Sequence, residues 1–325
     1  MIASVAIVAY NEEEYINKIL NDVLNQNYTK EQTEILLIDS LSTDNTRTLM
    51  QIFKDKHEKE YFGIQLLDNK GKIQSCGWNV AIQNFKGDVL FRIDAHAKIP
   101  SNFISKNMEL QNKGEYVTGG PRFTIVDKDT KWAEYLLAAE NSMFGSSIAS
   151  YRRSTEPSYV KSLFHGAYRR CVLDDVGLFN VDLGRTEDNE YHYRIREAGY
   201  KICYSPDINS YQYVRNTMGK MLKQKFANGY WIGKTFWICP RCLENYHFIP
   251  LLFLLGIILT SFLYCIGFPL LGNIMWSLYW GLTVIMTIMA IPKCKNNAHL
   301  LALPIIFFSL HFSYGLGTLK GILKL

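Results

Sequence analysis

A parallel α/β domain followed by membrane-crossing helices is the architecture this sequence predicts. Three observations predict it. Short apolar, β-branched runs alternate with amphipathic stretches through the first part of the chain, polar residues end each such run, and charge almost vanishes between Phe248 and Ile291. With 325 residues, 48 % of them hydrophobic, the chain has room for one large domain or two small ones and for a sizeable core.

The elements run in order along the chain. "SVAIVAY" (4–10) reads as a buried strand, and "EEEYINKILNDVLNQ" (12–26) as a helix with Ile16, Ile19, Leu20, Val23 and Leu24 on one face. "EILLIDS" (34–40) is the next strand, and "STDNTRTLMQIFKDKH" (42–57) opens with Ser/Thr/Asp capping chemistry and continues as a helix. "GIQLLDN" (63–69), "QSCGWNVAIQNF" (74–85) and "DVLFRID" (88–94) complete the run as strand, helix and strand. In a parallel sheet of this kind a ligand sits at the carboxyl ends of the strands. Asn11-Glu12, Asp39 with Ser42-Thr43-Asp44, Asn69 to Lys72, and Asp94 with His96 are therefore expected to converge on one crevice. No G-x-G-x-x-G follows the first strand, which disfavours an ordinary dinucleotide fold.

The second half is different. "FIPLLFLLGIILTSFLYCIGFPLL" (248–271) is uncharged and long enough to cross a bilayer, "NIMWSLYWGLTVIMTIMAI" (273–291) is a second such run, and a weaker third extends from Ala298 to about Leu319. Lys223, Lys225, Lys234 and Arg241 precede the first run, and Lys293 and Lys295 separate the second from the third, which predicts a cytoplasmic location for both clusters. Lys320 and Lys324 would lie outside after three full crossings, so the last segment is either a span or a re-entrant or interfacial helix. "MIASVAIVAY" lacks a signal-peptide pattern, so the N-terminal portion is expected in the cytosol. The seven cysteines are then expected as free thiols, and "CPRC" (239–242), which lacks a second Cys or His pair, as plain juxtamembrane cysteines. A net charge of +5, with its basic residues near the apolar runs, suits anionic headgroups or pyrophosphate and no nucleic acid.

Asp94-Ala-His96 at a strand end can supply one hard oxygen and one imidazole to a divalent cation that neutralises a diphosphate. "GRTEDNEYHYRIREAGYKICYSPD" (184–207) is a polar turn entering a helix that begins with Glu187-Asp188. A carboxylate there can act as a general base, and acidic residues are in any case favoured by the dipole at a helix N-terminus; both readings hold together.

Taken together, the chain resembles the inverting family 2 glycosyltransferases of the GT-A fold. The residues that carry the resemblance are "VAIVAYNEEEYI", "LLIDSLSTDNT", "GWNVAI", "DAHA" at the family's D-x-D position and "TEDNEYHYRIREAGYKI" for its acidic motif, in that order over roughly the first 230 residues. "RIDAHAKIP" and the apolar C-terminal cluster look most like the succinoglycan-type membrane enzymes of exopolysaccharide and capsule assembly. The resemblance implies that Asp39 contacts the base, that Ala9 and Glu12 line the nucleotide pocket, that Asp94 meets ribose and metal, that His96 replaces the second aspartate as metal ligand, and that Asp188 is the catalytic base with Glu187 beside it. Lys72 and Arg92 are expected either at the diphosphate or as surface residues, and Arg169 or Arg170 either at phosphate or in structural roles.

The implied cofactor is a divalent metal, Mn2+ or Mg2+. The implied partners are a nucleotide-sugar donor (UDP-sugar first), a polyprenyl-diphosphate-linked saccharide and membrane lipid. The setting is a bacterial-type cell membrane, multi-pass, with a cytoplasmic catalytic domain over 1–215, an amphipathic interfacial segment over 216–247 and two to three spans over 248–325. The family's processive members carry Q-x-x-R-W, a pattern that does not follow Gln224, which favours single addition. A transferase acting on polyprenyl monophosphate and a catalytically silent nucleotide-sugar-binding scaffold are the alternatives.

Overall fold

The computed structural model describes residues 1–127, 131–145, 154–215, 217–290 and 302–324. Cys294, Lys293, Lys295 and His299 lie outside the described residues. The chain divides into two compact units, Met1–Phe123 with Tyr151–Gln212, and Thr124–Ser150 with Tyr213–Leu325.

The first unit opens with the expected alternation: β1 (Ala3–Ala9), α1 (Ile16–Leu24), β2 (Thr33–Asp39), α2 (Thr46–His57), β3 (Gly63–Asp68), α3 (Gln74–Asn84) and β4 (Val89–Asp94). These strands are parallel in the order β3-β2-β1-β4. Then come β5 (Ala97–Lys98), α4 (Phe103–Asn112), β6 (Val117–Gly119) and β7 (Arg122–Ile125), with α5 (Lys131–Asn141) belonging to the second unit. The chain continues through β8 (Ser158–Val160), β9 (Ala167–Arg169), α6 (Arg170–Val176), α7 (Glu187–Glu197), β10 (Ile202–Tyr204) and β11 (Ser210–Tyr213). β9 inserts antiparallel between β4 and β6, and β8 lies antiparallel on β10, giving a mostly parallel eight-stranded sheet in the order β3-β2-β1-β4-β9-β6-β10-β8. β5 pairs antiparallel with β11, Ala97 opposite Gln212.

The two-residue period of a strand sorts side chains between the faces. Val5, Ile7, Ile35, Leu37, Phe91 and Ile93 bury against α1, α2 and α4, through Ile16, Ile19, Leu20, Met50, Phe53, Phe103 and Ile104. Ala6, Val8, Leu36, Ile38 and Leu90 bury against α3, α6 and α7, through Trp78, Ala81, Val172, Leu173, Tyr191 and Ile195. At about 1.5–3 kcal/mol for each large apolar side chain fully buried, both faces stabilise the sheet. Arg92 and Asp94 share the parity of Leu90, so both point to the α3/α6/α7 face.

The second unit contains α5, α8 (Met218–Ile238), α9 (Ile249–Cys265), α10 (Leu270–Ala290) and α11 (Leu303–Ile322). α8 and α11 approach backbone to backbone through facing G-x-x-x-G pairs. A Cβ on Gly229 or Gly233 would stand 2.1 Å from the Tyr314 carbonyl oxygen or 2.4 Å from that of Thr318, and one on Gly317 or Gly321 2.1 Å from Phe226 O or 2.2 Å from Tyr230 O. Among the described residues, two helical stretches are long and apolar enough to cross a membrane, Asn245–Cys265 and Leu270–Ala290, and only 17 % and 11 % of their most apolar windows is buried. α11, expected as a weaker third run, instead buries Leu303, Ile306, Phe307 and Leu310 and lies with Gly315 against the Pro250 carbonyl. Lys225, read from sequence as a charge flanking the apolar runs, is buried and paired with Glu140 at 2.8 Å.

Candidate functional site

The carboxyl ends of β1 and β2 continue into loops that are tied to each other. Asn11 N donates to Ser42 Oγ at 3.0 Å, Thr43 N to Asn11 Oδ1 at 2.8 Å, Glu12 N to Thr46 Oγ1 at 2.8 Å and Asn45 N to Glu13 Oε2 at 3.1 Å. Asn11 and Leu41 hold φ of 53° and 60°, left-handed values uncommon outside glycine, and the cross-ties fix both turns. Beneath this rim Asp39 is buried, its two oxygens 3.3 Å from Ser42 N and one of them 3.6 Å from Arg47. Ala9 contributes its carbonyl, which accepts from Ser40 N at 2.8 Å. Asn69, at the end of β3, is buried and reaches Ser40 Oγ at 2.9 Å, while Lys72 two residues past Lys70 is exposed with φ 62°.

At the end of β4, Asp94 Oδ1 accepts from Gln74 Nε2 at 2.8 Å, and Oδ2 lies 3.4 Å from His165 Nε2. His165 is buried and neither ring nitrogen has a good hydrogen bond. Burial alone would raise the Asp94 carboxyl, but the adjoining His165 ring and the Arg92 guanidinium hold it well below the usual carboxylate range. His96 lies across from it with Nδ1 3.0 Å from Glu12 Oε1 and Nε2 2.9 Å from Gln212 Nε2. Among the described residues no three His, Cys, Asp or Glu side chains already converge as cation ligands. The donors that are present, one ionised carboxylate and the His96 imidazole, fit a manganese-like ion better than magnesium, which prefers an all-oxygen set.

The acidic pair stands at the N-terminus of α7. Glu187 is buried, and Asp188 is partly exposed and accepts from Asn189 N at 2.8 Å. Burial raises both carboxyls. The Asp188 charge raises Glu187 further, and Arg92 pulls both back down. Arg92 itself is buried, its guanidinium 5.0 Å from the Trp78 ring centroid and 5.3 Å from that of Phe179; burial works against its charge, and the carboxylates of Glu187, Asp188 and Asp94 favour its cationic form. It is the one buried cation that the carboxylates of β4 and α7 share among the described residues of this unit. Below it, Tyr168 and His192 are 2.8 Å apart, with Ser162 Oγ 2.9 Å from the other His192 nitrogen. Burial drives His192 down to about 3, so this link is a neutral strut between β9 and α7.

The loop entering α7 is pinned by Asn79, whose amide donates to Phe179 O at 2.9 Å and accepts from Phe179 N at 2.7 Å. Asn79→Ala leaves two buried backbone groups unpaired, and we expect a loss of about 2–3 kcal/mol in denaturant unfolding together with weaker activity, since the loop carries the acidic pair.

The structure thus brings Asp94, His96, Glu187 and Asp188 together with Glu12 on one unit, and it places Asp39 and Ala9 at the neighbouring strand ends. Other residues sort differently from expectation. Arg92 is sunk one pleat below the rim, where it neutralises carboxylates. Arg169 donates to Gln111 Oε1 at 3.0 Å, Arg170 to the Gly87 carbonyl at 2.7 Å and the Phe85 carbonyl at 3.0 Å. Register puts Arg169 opposite Val89, at the far end of β4 from Asp94, so neither arginine reaches the rim. Gln74, His165 and Gln212 were not visible as site residues: Gln212 is 116 positions from His96 in the chain, and His165 precedes a three-residue strand that has no periodic signature.

The model of a protein family described as glycosyl transferase family 2 matches residues 4–177. The chain is 28 % identical over 329 residues to the dolichyl N-acetyl-α-D-glucosaminyl phosphate 3-β-D-2,3-diacetamido-2,3-dideoxy-β-D-glucuronosyltransferase of Methanococcus voltae, covering 99 % of this chain and 97 % of that one. It is 27 % identical over 222 residues to the poly-β-1,6-N-acetyl-D-glucosamine synthase of Staphylococcus aureus strain COL, covering 67 % of this chain and 52 % of the synthase, about half its length. Among solved structures, a mannosyltransferase from Pyrobaculum calidifontis in complex with GDP-Man and Mn2+ aligns with a TM-score of 0.59 and 15 % identity over 99 % of this chain and 87 % of that one, a likeness of fold.

Proposed function

The chain belongs to glycosyl transferase family 2, has the GT-A fold and is a glycosyltransferase, and from that premise we propose that it moves a sugar from a nucleotide-diphosphate sugar to a saccharide held on a polyprenyl carrier, with inversion at the anomeric carbon. The observation that carries the reading is the acidic pair of α7 set over the buried Arg92 beside Asp94. Asp188, the partly exposed member, takes the proton of the acceptor hydroxyl while that oxygen forms its bond to the anomeric carbon and the bond to the diphosphate breaks. Glu187 stays behind it and, with Arg92, sets how readily Asp188 gains a proton. Asp39, Ala9 and the cross-tied loops hold the nucleoside, with Glu12 and Lys72 at the mouth.

Asp94 and His96 would hold a divalent cation, Mn2+ ahead of Mg2+, which when bound supplies positive charge to the leaving diphosphate. The M. voltae relative's name specifies a dolichyl-phosphate-linked acceptor, and its match runs nearly end to end, which supports an acceptor of this class. The exposed apolar helices α9 and α10 suit an acceptor held on a membrane lipid, being long and apolar enough to cross a bilayer. A role in exopolysaccharide or capsule assembly agrees with the staphylococcal likeness.

The test is donor consumption by the detergent-purified protein across UDP-, GDP- and dTDP-sugars, with Mn2+, Mg2+ or EDTA. Polyprenyl diphosphate-linked saccharide, polyprenyl phosphate-linked saccharide and polyprenyl monophosphate are offered in turn. Cation-dependent release of one nucleoside diphosphate with elongation of a lipid-linked saccharide is the expected result. Glycosylation of the bare polyprenyl monophosphate alone would replace the acceptor assignment, and donor binding without release would favour a scaffold.

A further inference from the structure

His96 is held on both ring nitrogens by groups whose chemistry fixes its proton. The Glu12 carboxylate 3.0 Å from Nδ1 can only accept, so Nδ1 carries the hydrogen. At Nε2, 2.9 Å away, stands the Gln212 amide nitrogen, which can only donate, so Nε2 presents its lone pair. The amide cannot be turned round without loss, because the Arg122 guanidinium donates to Gln212 Oε1. Backbone pairing fixes the neighbour: Gln212 stands opposite Ala97, the residue after His96, in the β5–β11 ladder. The neutral tautomer with a hydrogen on Nδ1, oriented by a carboxylate, is the form in which an imidazole binds a metal through Nε2. That lone pair is already occupied by the Gln212 amide.

We propose that Gln212 is a removable cap on the ligand nitrogen of His96, kept in place by Arg122 and exchanged for a divalent cation when one enters between His96 and Asp94. Glu12 is accordingly a positioning residue that holds the imidazole in its ligating tautomer. The cap sets a threshold: the cation must displace one hydrogen bond before it gains the imidazole. The inference rests on the reading of Asp94 and His96 as cation ligands.

The experiment is a Mn2+ titration of the full-length protein in detergent, with free ion followed by its electron paramagnetic resonance signal, for the native chain, Gln212→Leu, Gln212→Met, His96→Ala and the His96→Ala/Gln212→Leu double variant. Removing a single competing neutral hydrogen bond is expected to tighten Mn2+ binding about three- to tenfold in both Gln212 variants, while His96→Ala weakens it about tenfold or more. In the double variant the Gln212 change is expected to have no effect, since there is no nitrogen left to uncap. Equal or weaker binding in both Gln212 variants, with His96→Ala still impaired, would overturn the cap and leave the cation assignment standing. Native-like binding by His96→Ala would remove the ligand itself, and the cap with it.

Discussion

Asp188→Asn is expected to lower turnover by about 10²- to 10⁴-fold while leaving donor binding within a few fold. The amide keeps the size of the side chain and can still accept from Asn189 N, so α7 retains its start, but it cannot take a proton from the acceptor. Single-turnover transfer separates the two effects: the chemical step should slow while the donor dissociation constant barely moves. A variant that transfers sugar at the native rate would take Asp188 out of the reaction. The native enzyme's activity should rise with pH along a limb displaced above the ordinary carboxylate range, because burial and neighbouring charge raise the Asp188 carboxyl.

Arg92→Met should have the second largest effect, and on stability first. It removes the cation from beneath the buried Glu187 and the partly exposed Asp188 and is expected to cost about 3–5 kcal/mol near neutral pH, read by denaturant unfolding. Glu187 and Asp188 already have folded-state values raised above their unfolded ones, so the stability their protonated forms contribute is complete below the ordinary carboxylate range and is lost as pH rises through the raised values. Without Arg92 those values rise further. The deficit should therefore shrink on acidification toward about pH 5, and the acid limb of the pH–rate profile should move to higher pH. Asp94 works in the opposite sense, since its lowered carboxyl loses stability only as pH falls below the ordinary carboxylate range, outside that window. A variant as stable as the native protein with an unmoved profile would show that Arg92 does not set the charge state of the pair.

The alternation of β1 to β4 with α1 to α3 was legible because each strand is an apolar run bounded by turn residues and each helix places its apolar residues on one face. The sheet beyond β4 was not legible in this way. β6, β8, β9 and β10 are three residues long, too short for a period to register, and β9 enters antiparallel through pairing that only the folded sheet specifies. Asp94, His96 and the Glu187-Asp188 pair were visible because their types and positions carry chemistry locally. Arg92 was visible but ambiguous: parity placed it on the face of Asp94, and only depth distinguishes a charge at the rim from one buried between Trp78 and Phe179. The facing glycines of α8 and α11 were present in the sequence as two four-residue spacings, Gly229 to Gly233 and Gly317 to Gly321, and the close approach of Phe226, Tyr230, Tyr314 and Thr318 carbonyls explains them.

The most direct test of the account is the anomeric configuration of the sugar that the enzyme adds, read by the proton coupling constant at C1 in the purified lipid-linked product. One-step displacement with Asp188 as base predicts that the configuration in the nucleotide sugar is inverted, a β-linkage from an α-linked donor. A product that retains the donor's configuration would contradict the mechanism and require the acidic pair of α7 to act in another way.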